Sequence, residues 1–178
     1  LFRQKYPEVS VQLQIHSTRR TGWSVANGQI DIAIIGGQLP IELNESLQVI
    51  PFATDELALV LPTNHPLAKS KELTKEDLYS LGFITLDTQS TTRKVVDQLL
   101  STSGLDVQRL HIEMELNSLE AIKNAVQSNL GAAFLPVVSI ERELAGGSIH
   151  RPLVADLEVK RELKVITNPG RYSSRAAE

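Results

Sequence analysis

Short apolar, β-branched runs alternate with stretches of helical period along this chain, the pattern of an α/β fold with a largely parallel sheet. Val9, Val11, Leu13 and Ile15 alternate with Ser10, Gln12 and Gln14, which predicts a strand over 9–15 with one buried face. A short helix over 18–27 follows, with Ser17 or Thr18 as its N-cap and Gly28 as its stop. The run 30–35 is almost continuously apolar, as a strand buried on both faces would be, and Gly36-Gly37 ends it in a turn. Strand, helix and strand make one unit of about thirty residues.

Beyond a polar stretch over 38–46, strands are predicted at 49–52 and 56–61, and Pro62-Thr63-Asn64-His65-Pro66 reads as a loop. Thr74 starts a helix through Ser80, with Asp77 placed to satisfy the first-turn amides. A strand at 83–86, a polar loop at 87–92 and a helix over 93–103 stopped by Gly104 come next. Over 109–116, His111, Glu113 and Glu115 alternate with Leu110, Ile112, Met114 and Leu116, a strand with one wet face. Leu119, Ile122, Ala125 and Val126 share one side of a helix over 118–129. A buried strand at 131–135, a helix over 136–144 ended by Gly146-Gly147, a last strand at 162–166 and a terminal helix from Arg171 onward complete the pattern. Groups of strand and helix before and after about Asp55 point to two lobes.

Composition narrows the function classes. Hydrophobic residues are 42% and charged ones 22% of 178 residues, as in an ordinary globular protein of one domain or two small lobes. Eighteen Lys and Arg against twenty-one Asp and Glu give a net charge of -3, so the chain lacks the basic excess of a duplex DNA reader. The absence of cysteine excludes disulfides, thiolate metal sites and a Cys nucleophile. Apolar runs fall short of the roughly 20 residues of a membrane helix, and no signal peptide is recognisable.

The densest chemistry lies in Gln89-Ser90-Thr91-Thr92-Arg93, three hydroxyls and a guanidinium between a strand end and a helix start. Unpaired amides and the positive end of the dipole make such a start an anion site, while plain N-capping with a solvated Arg accounts for the same residues. His16-Ser17-Thr18-Arg19-Arg20 repeats the motif, and a bound anion would relieve repulsion between its adjacent cations. Gly36-Gly37 either admits a ligand to the main chain or simply turns it. Asn117-Ser118 caps a helix after a strand, where it would also face a ligand crevice. Glu113 and Glu115 share a strand face, which solvation explains better than an acid pair. The scattered His16, His65, His111 and His150 form no ligand set, and Trp23 reads as a partly buried packing residue. No nucleophile with an oriented base stands at a turn, so no enzyme is expected.

The chain resembles the effector-binding domain of LysR-type transcriptional regulators. The resemblance rests on FRQKYPEV at 2–9, NGQIDIA at 27–33, DELALVLP at 55–62 leading to HPLA at 65–68, and STTR at 90–93. HSTRRT at 16–21, IIGG at 34–37 and IEMELNSLEAIKNAVQS at 112–128 are similar to cyanobacterial and plastid members that control carbon fixation and inorganic-carbon uptake. In the family's terms the sequence opens near the end of the first long helix, after the DNA-binding domain, the linker helix and the first strand.

The resemblance implies two Rossmann-like lobes joined by a hinge, the type 2 periplasmic-binding fold, with 1–55 and 161–178 in one lobe and 56–160 in the other. It implies a metabolite held between the lobes by Ser17, Thr18, Ser90, Thr91 and Thr92, to which the motifs read above add Arg19, Gly36, Gly37, Arg93, Asn117 and Ser118 as candidate ligand residues, with neither cofactor nor metal. The effectors it implies are ribulose 1,5-bisphosphate, 2-phosphoglycolate or 2-oxoglutarate. It further implies a homodimer through this domain, a homotetramer in the full-length protein, DNA contact only through an N-terminal helix-turn-helix, no membrane, and a cytoplasmic or plastid-stromal location. A periplasmic-type solute-binding protein for a small anion is the alternative of another class.

Overall fold

The computed structural model describes residues 2–88 and 90–171. In chain order its elements are α1 (Phe2–Lys5), α2 (Thr18–Ala26), β1 (Ile32–Ile35), β2 (Gln48–Pro62), β3 (Glu72–Leu73), α3 (Lys75–Leu78), β4 (Gly82–Leu86), α4 (Thr91–Thr102), β5 (His111–Leu116), α5 (Leu119–Gln127), β6 (Ala133–Pro136), α6 (Val137–Ala145), β7 (Ile149–His150), β8 (Leu153–Val154) and β9 (Val159–Thr167). Residue contacts divide the chain into two units, one running to Phe52 and resuming at Leu163, the other Ala53–Glu162. The expected junctions were 55/56 and 160/161. The observed ones keep Asp55 and Arg161 together in the second unit. The terminal helix expected from Arg171 onward lies outside the described residues.

In the first unit α2 packs on β1, and Val25, Ile35, Leu43, Leu47 and Ile166 form a small buried cluster. Gly22 lets α2 lie close to the segment after β1, since a Cβ there would stand 2.8 Å from Leu39 Cδ2 and 3.1 Å from Leu43 Cδ1. Two expectations fail here. The segment 9–15 is no strand but irregular, with Leu13 and Ile15 each 86% exposed. Its alternation describes how a strand would sit on a sheet, but among the described residues it has no ladder partner, and a lone strand has nothing to pair its amides. Nor is β1 buried on both faces: Ile32 and Ile34 are exposed while Ile35 is buried. Trp23 on α2 is 40% exposed and so partly buried.

In the second unit both faces of β4, β6 and the 57–62 part of β2 are covered, which is why these read as continuous apolar runs. Leu57, Leu59, Leu61, Phe83 and Ala132 belong to one cluster, with Val96 and Leu100 of α4. Val60, Ile84, Ala133 and Leu135 belong to the other, with Ile122 and Val126 of α5 and Ile140 of α6. The period of two thus sorts neighbours to opposite faces.

The expected largely parallel sheet is corrected. The main sheet runs β1-β9-β2-β6, and β1 with β9, β2 with β6 and β2 with β7 are all antiparallel. Parallel pairing joins β4 with β5, β3 with β8 and, by a bridge, Phe83 with Ala132. Apolar runs reveal burial but not strand direction, which depends on where the returning chain crosses. The strands expected at 49–52 and 56–61 are one, β2, which passes between the units, as β9 does on its return.

Thr74 caps α3 as expected. Its hydroxyl accepts from the Asp77 amide at 3.3 Å, and Asp77 Oδ2 accepts from the Thr74 amide at 2.7 Å and the Thr74 hydroxyl at 2.8 Å. The backbone bond first and the hydroxyl second hold the Asp77 carboxyl below the usual carboxylate range. A lowered native pKa stabilises the fold above the unfolded pKa, and that contribution disappears as pH falls through the native one. Asp77→Asn is therefore expected to lower stability at pH 7 and to converge with the native sequence below about pH 4, by urea unfolding at several pH values. Parallel profiles across that range would count against the ionised capping box.

Candidate functional site

The second unit concentrates helix starts at one sheet edge. Parallel pairing of β4 and β5 brings Leu86 opposite Leu116, and the Asp87 amide donates to the Leu116 carbonyl at 3.2 Å. The loops that follow, one ending at Ser90 and the other at Asn117-Ser118, therefore leave the same edge, at the carboxyl ends of parallel strands. Close approach of the next segment is needed too: a Cβ on Gly131, whose φ is +154°, would stand 2.6 Å from the Gly82 carbonyl oxygen.

Ser90 stays extended, with φ -64° and ψ 125°, and its hydroxyl accepts from the Arg93 amide at 3.4 Å. Polar Ser90 to Thr92 followed by the period of Val96, Leu99 and Leu100 is what starts α4 there. No acidic residue occupies the first turn of α4, where the positive end of its dipole lies. Ser118, exposed, caps α5 by accepting from the Ala121 amide at 3.5 Å, and Asn117 beside it is exposed. A hollow lined by Phe83, Val96, Leu100, Ile112 and Phe134 lies against Thr92 and Arg93.

Arg93 differs from the expected free cation. Its Nε donates to Asp97 Oδ1 and Oδ2 at 2.8 and 2.7 Å, and its Nη1 donates to the Thr85 hydroxyl and, at 3.3 Å, to the Leu86 carbonyl. The guanidinium ties the end of β4 to α4 and has its charge balanced by Asp97, with Glu115 at 3.9 Å.

Two residues that sequence reasoning missed stand behind the loop. Asp55 on β2 and Arg161 on β9 have side chains only 5% and 11% exposed. Arg161 Nε donates to Asp55 Oδ2 at 2.8 Å and its Nη2 lies 2.7 Å from the same oxygen. Its Nη1 donates to the Thr92 hydroxyl at 3.2 Å. The one signal available was Asp55 itself, an acid heading an otherwise apolar strand run. Nothing local marks Arg161.

In the first unit Ser17 caps α2, its hydroxyl accepting from the Arg20 amide at 3.4 Å. Thr18 is buried, Arg19 is exposed, and Gly36 and Gly37 form a half-buried bend after β1. Glu113 bonds His111 at 2.9 Å on an exposed strand face, which Glu115 shares.

The family model described as the LysR substrate binding domain matches residues 1–178, the whole chain. The chain belongs to that family. Its fold is accordingly the type 2 periplasmic-binding fold of LysR effector-binding domains, and the family is one of transcriptional regulators rather than enzymes. This LysR domain is 62% identical over 178 residues to a Trichormus variabilis protein named probable RuBisCO transcriptional regulator, covering 100% of this chain and 53% of the relative. A Porphyra purpurea protein of the same name is 60% identical, with 100% and 56% covered. The chain thus spans about half the length of the curated relatives it matches. Among solved structures, the Synechocystis CcmR regulatory domain in complex with 2-PG superposes with a TM-score of 0.83 at 26% identity, covering 99% of this chain and 82% of that one. The cofactor-binding domain of the Cbl transcriptional regulator superposes at 0.79 and 22% identity, covering 98% and 74%, a likeness of fold. Among the described residues no helix is long and apolar enough to cross a membrane.

Proposed function

We propose that this LysR domain is the effector-binding part of a regulator of carbon-fixation genes and that it holds a small anionic carbon metabolite on the loop at Ser90–Arg93. The carrying observation is the start of α4: hydroxyls, amides left over by helix geometry and no acid in the first turn, with a buried arginine bonded to Thr92. The names of the relatives and the 2-PG in the CcmR complex support the same reading. Ribulose 1,5-bisphosphate, 2-phosphoglycolate and 2-oxoglutarate are the effectors it favours. Ser17, Thr18, Arg19, Gly36, Gly37, Asn117 and Ser118 are further proposed contacts. The whole protein works in the cytoplasm or plastid stroma, pairs through this domain and joins into tetramers, and reaches DNA through its N-terminal helix-turn-helix. An effector that prefers one conformation of the domain shifts that population, and the shift is limited by its differential affinity.

Calorimetric titration of the protein with the three metabolites is expected to give saturable binding of at least one. A folded protein that binds none of them would overturn the anion-sensor reading. Arg93→Ala is expected to weaken that binding about tenfold, the order of one charge-assisted hydrogen bond, because the loop loses its anchors on Thr85, Leu86 and Asp97. Unchanged affinity would remove Arg93 from the site's support.

A further inference from the structure

Thr92, Arg161 and Asp55 form a chain of side chains running from β2 through β9 to the start of α4. A guanidinium has donors only, whereas a threonine hydroxyl has one hydrogen to give and two lone pairs to receive. The bond between Arg161 Nη1 and Thr92 Oγ1 therefore runs one way, from arginine to hydroxyl, and Thr92 keeps its own hydrogen for another acceptor.

Asp55 determines how firmly this holds. It takes both Nε and Nη2 of Arg161 on one oxygen, which fixes the plane of the guanidinium and aims Nη1 at Thr92. The pair is buried at 5% and 11% exposure, so water competes little for these bonds. Because Asp55 balances its charge, Arg161 contributes direction rather than a bare positive charge.

Resting on the anion-binding reading above, we propose that Arg161, braced by Asp55, is a positioning residue that orients the Thr92 hydroxyl so that its hydrogen is presented to the bound anion. Arg161 acts through Thr92. The site thereby favours ligands that present a hydrogen-bond acceptor, a phosphate or carboxylate oxygen, at that point.

The test is a double-mutant cycle read by calorimetric affinity for 2-phosphoglycolate, with ribulose 1,5-bisphosphate and 2-oxoglutarate as second and third probes. Arg161→Lys keeps the charge but loses the fork, and Thr92→Val removes the hydroxyl at similar size. Each is expected to weaken binding five- to tenfold, and the two together no more than Thr92→Val alone. Thr92→Ser is expected to stay within about twofold of the native affinity. Asp55→Asn supplies a second way to release Arg161 and is expected to give the same non-additive pattern, with melting curves confirming which variants fold. Losses that multiply, or an Arg161→Lys variant that binds as well as the native protein, would overturn the positioning role alone. Native protein that binds none of the three probes would instead overturn the anion-binding reading, and this role with it.

Discussion

Phe83→Ala is expected to destabilise the protein by about 3–5 kcal/mol, the cost of deleting a fully buried aromatic ring from a site that cannot collapse. Phe83 is 2% exposed and stacks on Phe134, with ring centroids 5.9 Å apart and planes 4° from parallel. It sits on β4, flanked by β5 on one side and the residue 132 bridge on the other, so the backbone on both sides is held by ladder bonds. The neighbouring Leu59 of β2 and Val96 and Leu100 of α4 project from two separately anchored elements and cannot all move inward to fill the void. For a chain of this length the melting midpoint would fall by on the order of 10 °C. Urea unfolding with an unchanged m-value checks it. A loss below about 1 kcal/mol would mean that the second unit repacks far more freely than its interlocked strands and helices imply.

Asp55→Ala is expected to cost roughly 3 kcal/mol, because it leaves the Arg161 guanidinium buried beside β2 without its counter-charge. The slight exposure of Arg161 places the cost at the lower end of what breaking a buried pair entails. Removing both charges, as Asp55→Ala with Arg161→Met, is expected to restore most of the loss, since burying an isolated charge is what is costly. Unfolding of the single and double variants in urea compares the two. If the double variant is as unstable as Asp55→Ala, the penalty comes from lost packing rather than from an uncompensated charge.

The hydroxyl caps show what local sequence can reveal. Ser17, Thr74, Ser90 and Ser118 each bond an amide three residues ahead, so the whole interaction lies within one turn of chain. Arg93 shows the boundary of such reading. Its partner Asp97 lies one turn on and on the same face, yet the residue looked free because capping motifs draw attention to a helix start rather than to its first i,i+4 pair. Over 9–15 the alternation was real but its consequence was not, since a strand exists only when another strand accepts its hydrogen bonds.

By itself the sequence determined the family, the α/β class, the helix caps and the hydroxyl-rich loop at Ser90–Arg93, because propensity, period and capping act over a few residues of chain. The tertiary structure decided that β1 pairs antiparallel with β9 and β2 with β6, and that Asp55 and Arg161, 106 positions apart, meet behind Thr92. Those outcomes depend on which distant segments lie side by side once the chain has crossed into the second unit and returned, and no local periodicity encodes that.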